Sequence, residues 1–236
     1  MPPPRAEDAP SFDEVVYTTR AMRRLRPDPV PPELLSQIVE AATMGPCGNH
    51  VENWRFYVLT DRARIAQLAE LWARIFDRVK DQTGSMPAAL RRSCEYMIEH
   101  FAEVPAVILP GAVGFPGPGA NVVETVTWYA SILPAVQNLM LAARARGLGA
   151  TLTTLPLAAH DALRGVGGVA DDVTLVACIP LGYPKGRFGR PPRLPVDAIA
   201  WLDGAPLPPP SVTFTQTEIA AARPPETERK PVLMGE

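Results

Sequence analysis

Residues 18–61 read TTRAMRRLRPDPVPPELLSQIVEAATMGPCGNHVENWRFYVLTD, and the order of signals along this stretch decides the fold. It opens with a basic turn, Arg20, Arg23, Arg24 and Arg26, closed by Pro27 and Pro29, which disfavour helix on either side of them. From Pro32, the apolar residues Leu34, Leu35, Ile38, Val39 and Ala42 recur with helical period until Gly45 and Pro46 stop them. A small polar loop, GPCGNHVEN, comes next. Trp54 to Thr60 is rich in aromatic and branched residues and reads as a strand. Asp61 then stands as the cap of a helix whose inner face carries Ile65, Leu68, Leu71, Trp72 and Ile75. Helical and strand periods therefore alternate within one short span, which gives an α+β class.

The same reading extends outward. Ser11 is a candidate N-cap for a helix over residues 11–19, with Glu14 at the capping-box spacing. Beyond the third helix lie a polar connection at 80–86, a helix from about Pro87 to His100 and a second strand, Val104 to Pro110. A glycine–proline loop, GAVGFPGPGAN, precedes the longest helical pattern, 124–146, along which Trp128, Ile132, Val136, Leu139 and Ala143 recur. This helix is apolar nearly all round, so it is expected to be central and buried. Arg144 and Arg146 sit in its last turn, where cations favour the helix dipole, and Gly147 or Gly149 stops it. A short helix near 158–164 and a third strand, Val173 to Pro180, complete the set. The expected organisation is a flexible residue 1–10 segment, a single domain over 11–203, and a proline-rich arm over 204–236. That arm cannot build a core alone, yet it carries Val212, Phe214 and Ile219. It is expected to embrace a partner subunit.

Composition narrows the function classes. The chain has 236 residues, 47% apolar and 20% charged, which is globular and not disordered. Its 23 basic and 25 acidic residues nearly balance at a formal charge of −2, which argues against nucleic-acid or anionic-membrane binding. Three cysteines are too few for a disulfide framework. There is no transmembrane stretch and no secretory leader, so the expected address is the cytoplasm. The 28 prolines punctuate the chain at its ends and loops.

No Walker loop, paired zinc motif or dinucleotide fingerprint occurs; the glycines of GAVGFPGPG are interrupted by proline and open no helix. Cys47 and His50 form a C-x-x-H pair, readable as half a metal site or as a thiol nucleophile and base, but each reading lacks its further partners. What remains is three groups that a ligand could join. They are the basic turn, the polar loop at 46–50, and the late arginines Arg187, Arg190 and Arg193. Arginines from both ends of a domain can converge on one phosphate.

Together these segments resemble the FMN-dependent nitroreductase family. The residue 18–61 stretch is similar to that family's opening, with its basic turn, "PDPVP", helix, small polar loop and strand. SILPAVQNLMLAARARGLGATLTTLPL (131–157) is similar to its central helix and following turn. IPLGYP and PPRLPVDAIAWL (179–202) are similar to its last core strand and closing segment. The resemblance covers about residues 11–202. It implies an α+β nitroreductase-like fold, with a central mostly antiparallel sheet flanked by helices, and an intertwined homodimer with FMN at the interface. By position, it implies that Arg20, Arg23 and Arg24 meet the FMN phosphate and the N1/O2 edge. Pro46, Cys47, Gly48, Asn49 and His50 would hold the ring and ribityl chain, Thr153 and Thr154 would face N5/O4, and Arg193 would bind phosphate. The implied activity is ping-pong transfer from NADH or NADPH to a nitroaromatic, quinone or related conjugated acceptor, the flavin carrying the chemistry. Dehalogenation, natural-product dehydrogenation, deazaflavin use and a non-catalytic flavin-binding dimer are the implied alternatives. Where the family has serine, glycine, asparagine and glutamine, this chain has Cys47, Asn49, His50 and Glu52, and Ala21 replaces the usual serine of the basic turn.

Overall fold

The computed structural model describes residues 9–80 and 86–210. Most of the 80–86 connection, and the arm from 211 onward with Val212, Phe214 and Ile219, lie outside the described residues.

β2 (Ala106–Val113) is the central strand, buried on both faces and paired along both edges. Ala106, Ile108 and Ala112 point into one core and Val107 and Leu109 into the other, the period-two pattern of a strand covered on both sides. β1 (Trp54–Leu59) runs antiparallel along one edge of β2, with Trp54 opposite Ala112 and Leu59 opposite Val107. Along the other edge run β4 (Val173–Leu175) and β5 (Ile179–Gly182), and β3 (Gly149–Ala150) pairs beyond β5. All these ladders are antiparallel.

The strand expected at Val173–Pro180 is thus two strands. Val176 N donates to the Pro110 carbonyl (2.9 Å), so Pro110 faces this edge, and a proline has no N–H to return. The ladder breaks there. The freed backbone of Cys178 pairs instead with Thr153, by bonds of 3.1 and 2.8 Å.

Helices cover both faces. α2 (Pro32–Ala42) and α5 (Val122–Ala145) pack on one, through Ile38, Ala42, Ile132, Ala135, Val136 and Leu139. α3 (Arg62–Val79) and α4 (Ala88–Glu99) pack on the other, and all five residues expected on the α3 face are buried. Asp61 caps α3 by accepting from Arg64 N (2.9 Å). α6 (His160–Gly167) closes that layer, later than the expected 158–164, because Leu155–Ala159 forms a separate 3₁₀ turn.

Two expectations about helices need correction. α1 (Phe12–Thr18) is capped by Ser11, whose hydroxyl accepts from Glu14 N (3.1 Å), but the Glu14 carboxylate does not complete a capping box; it turns inward to Arg144. α5 is buried along one face only. Val122, Val123 and Val126 are 73%, 68% and 58% exposed, and Tyr129 and Leu133 also lie open. Past the core, β6 (Trp201–Leu202) and β7 (Ala205–Pro206) form a small exposed hairpin, turning at Asp203–Gly204, where the sequence reading ended the domain. No helix among the described residues is long and apolar enough to cross a membrane.

Candidate functional site

The basic turn is pinned to the edge of the sheet. Met22 N donates to the Ala150 carbonyl (3.0 Å), and the Thr151 hydroxyl donates to the Met22 carbonyl (3.0 Å). Gly149 is required for this approach, since a Cβ there would sit 2.7 Å from the Met22 Cβ. Met22 and Leu25 fill the core beneath, so the arginines between and around them are left to face outward.

They do not all face the same way. Arg20 and Arg193 line one cavity of about 310 Å³, together with Thr19, Gln137, Arg144 and Phe188. Arginines from the two ends of the domain thus line the same cavity in this one pair. Arg20 Nη2 also donates to the Arg187 carbonyl (3.1 Å). Arg24 instead lies over the ring of Tyr96, 4.3 Å from its centroid, and Arg23 is half-buried; neither lines the cavity. Arg190 lies over Tyr17 at 5.0 Å.

The floor of this cavity holds a buried ion pair. Arg144 Nη2 donates to Glu14 Oε1 (2.7 Å) and Nε to the Thr18 hydroxyl (2.8 Å), while its guanidinium lies 4.1 Å from the Phe188 ring centroid. Sequence reading placed Arg144 on the helix dipole; the side chain actually turns into the fold. Gln137 and Thr19 were also missed. The available signal was a polar residue interrupting a helix otherwise read as apolar, which applies equally to Ser131, Gln137 and Arg144.

The loop at 46–50 lies elsewhere. Gly48 N donates to the Ser131 hydroxyl (3.0 Å), and a Cβ on Gly48 would stand 2.9 Å from Thr127 Cγ2, so a larger residue there would have to displace that methyl. Trp54 Nε1 donates to the Ser131 carbonyl (2.8 Å), and Glu52 N donates to Cys47 Sγ (3.2 Å). Asn49, His50 and Glu52 all have left-handed backbone, with φ of 54°, 54° and 47°, a concentration of local strain of the kind found at ligand-binding loops. Gly48 and Asn49 border a second, more open cavity of about 840 Å³, whose other wall is the 113–120 loop and the start of α5. Pro46 and His50 are exposed, and Cys47 is half-buried. Cys47 and His50 make no side-chain bond to each other, and no cluster of metal-ligating side chains occurs among the described residues.

Thr153 and Thr154 stand between these regions in sequence. Thr153 is locked by its backbone pair with Cys178, and Thr154 opens the 155–159 turn, its carbonyl accepting from Leu157 N (2.9 Å). Neither borders the first cavity, although Ala150 and Leu152 do. Burial pushes the Cys178 thiol beneath them up to about 12.

The chain as a whole is matched by known proteins. The profile of the nitroreductase family matches residues 16–183, and the chain belongs to that family. A Methanothermobacter thermautotrophicus protein, provisionally named NADH dehydrogenase/NAD(P)H nitroreductase, is 29% identical over 178 residues, covering 75% of this chain and 78% of that one. Iodotyrosine deiodinase 1 of Rattus norvegicus is 26% identical over 178 residues, and the alignment spans 74% of this chain but only 62% of the deiodinase. Among solved structures, an FMN- and NADPH-dependent nitroreductase NfnB from a Sphigopyxis species superposes with a TM-score of 0.64 at 18% identity, covering 82% of this chain and 99% of that one. An iodotyrosine deiodinase bound to FMN and 3-iodo-L-tyrosine superposes with a TM-score of 0.62 at 20% identity, covering 78% and 95%. These superpositions establish the nitroreductase fold for this chain.

Proposed function

We propose that this chain is an FMN-dependent oxidoreductase that acts as a homodimer, drawing on NADH or NADPH to reduce a nitroaromatic, quinone or related conjugated acceptor. The observation that carries the reading is the cavity shared by Arg20 and Arg193. Two guanidiniums from opposite ends of the sequence, beside a wall of Val16, Leu148 and Leu152, suit an anionic head joined to a less polar body. That donor set fits the phosphate of FMN. The family relationship supplies the rest of the argument.

FMN, when bound, would supply the redox chemistry that links a nicotinamide donor to the acceptor. The chain's own residues bind and orient. Arg20 and Arg193 would hold the phosphate by charge-assisted bonds. The family resemblance would assign Arg23 to the N1/O2 edge and Thr153, whose backbone is paired with Cys178, to N5, although neither borders the cavity that Arg20 and Arg193 line. Gly48 and Asn49 border a different cavity from Arg20, so for both groups to meet one flavin a second copy of the chain would bring its loop to this copy's arginines. The open apolar face of α5 is the surface that such a dimer would cover.

The experiment is reconstitution with FMN followed by addition of NADPH or NADH under anaerobic conditions. The expected result is a yellow protein with one flavin per subunit that bleaches on reduction. A protein that takes up no flavin sinks the proposal; one that binds FMN but is reduced by neither nicotinamide is a flavin-binding dimer. The deiodinase relatives favour a second reading, reductive dehalogenation of a halogenated aromatic. Halide release from a halophenol by the reduced protein separates it from nitro or quinone reduction.

A further inference from the structure

The buried pair Glu14–Arg144 has no place in the activity as described above, and it is an expensive feature. Both side chains are nearly removed from water, at 11% and 7% exposure, and a buried ion pair is commonly no better for stability than apolar residues of the same volume. Its position suggests a use. Arg144 reaches α1 by two bonds, to Glu14 and to Thr18, the last residue of that helix. The Thr18 hydroxyl donates to the Glu14 carbonyl, so its remaining lone pairs are turned toward Arg144 Nε. Arg20 follows two residues later. On its other side, Met22 is held to Ala150 and Thr151. Arg20 is thus suspended between two fixed points, of which Arg144 makes one.

Arg144 also touches the opposite wall. Its guanidinium lies against Phe188, and the neighbouring Arg187 carbonyl accepts from Arg20. Arg193 lies five residues beyond Phe188 on the same segment. One side chain, anchored at the end of α5, therefore contacts both strands of chain that bring a phosphate-binding arginine to the cavity.

We propose that Glu14 and Arg144 are positioning residues for the cofactor phosphate: Arg144 sets the separation of Arg20 and Arg193, and Glu14 holds Arg144 in place while cancelling its charge. The inference rests on the FMN reading above. It assigns to the pair a role in phosphate recognition beyond fold stability.

The test compares FMN with riboflavin, which lacks the phosphate, by quenching of flavin fluorescence in the full-length protein. Removing Arg144 alone strands a buried carboxylate and endangers folding, so the informative variant is the double Glu14→Gln/Arg144→Met. It keeps the net charge of the buried pair, because one cation and one anion leave together. Thr18→Val is the milder companion, removing one of the bonds that hold Arg144 and no charge. The expected result is wild-type thermal stability in the double variant, riboflavin affinity unchanged, and FMN affinity lowered about tenfold, with a smaller loss of the same kind in Thr18→Val. Full FMN affinity in a folded double variant overturns the inference and leaves the pair structural. If the double variant does not fold, unchanged FMN preference in Thr18→Val overturns it equally. A wild-type protein that binds neither flavin overturns the FMN reading itself, and this inference falls with it.

Discussion

Arg20 is an exposed side chain with one bond to a backbone carbonyl, so its removal tests binding more than folding. Arg20→Ala is expected to lower FMN affinity roughly 10- to 150-fold, the loss of one charge-assisted contact at about 1.5–3 kcal/mol, with little change in melting temperature. Unchanged affinity would show a solvated surface charge. Glu52 behaves oppositely. It is an exposed, non-glycine residue at a φ of 47°, a conformation that costs roughly 1–2 kcal/mol for a residue with a side chain, so Glu52→Gly should raise the denaturation midpoint. A lowered midpoint would mean that the Glu52 side chain holds the loop. Cys178 carries a pH dependence. Its thiol stays neutral in the fold up to about 12 and ionises near 9.0 in the unfolded chain. The unfolded state therefore loses its proton first as pH rises. The stability due to this burial is complete below pH 9 and is lost progressively above it, about 1.4 kcal/mol by about pH 10. Comparing Cys178→Ala with wild type across that range isolates this pH dependence; parallel curves would show that the thiol does not cause it.

Elements with a self-contained pattern were legible in sequence. The α3 face and its Asp61 cap follow from local period and one side chain, and β1 follows from composition. The break between β4 and β5 was hidden, since it depends on Pro110, more than sixty residues upstream and across the sheet. α5 was read as buried all round because hydrophobicity reports what wants to leave water, not what covers it. Its open face gives the element its prediction. Val126→Glu should leave the isolated chain's fold unchanged, since the residue is 58% exposed, yet should split the proposed dimer on size measurement. A dimer that survives the charge places the interface elsewhere. The site was legible by segment and not by residue. The basic turn was found as a block, but alternate packing of Met22 and Leu25 sends Arg20 to the cavity and Arg24 to Tyr96, and no spacing in the turn reveals that division.

At the scale of the molecule, the exposed hairpin at 201–206 lies near the end of the described residues, with Ile199, Trp201 and Leu202 at 55%, 64% and 56% exposure. If this end and the arm beyond it lie on a second subunit, truncation after Pro210 should weaken the dimer and lower flavin content together. A truncated protein that keeps both would show that the arm contributes to neither.

The separation of the two cavities has a genetic consequence. In the proposed dimer, each flavin draws its arginines from one copy and its loop from the other. At limiting flavin, a chain spoiled at Arg20 and a chain spoiled at Gly48 would each be largely empty when made alone. When the two are expressed together, a mixed dimer concentrates both lesions in one site and leaves the other site free of either. Two dead alleles should therefore rescue one another, whereas two alleles spoiled in the same cavity should not, and the pattern of rescue among pairs of variants would sort residues into those two classes without any further structure.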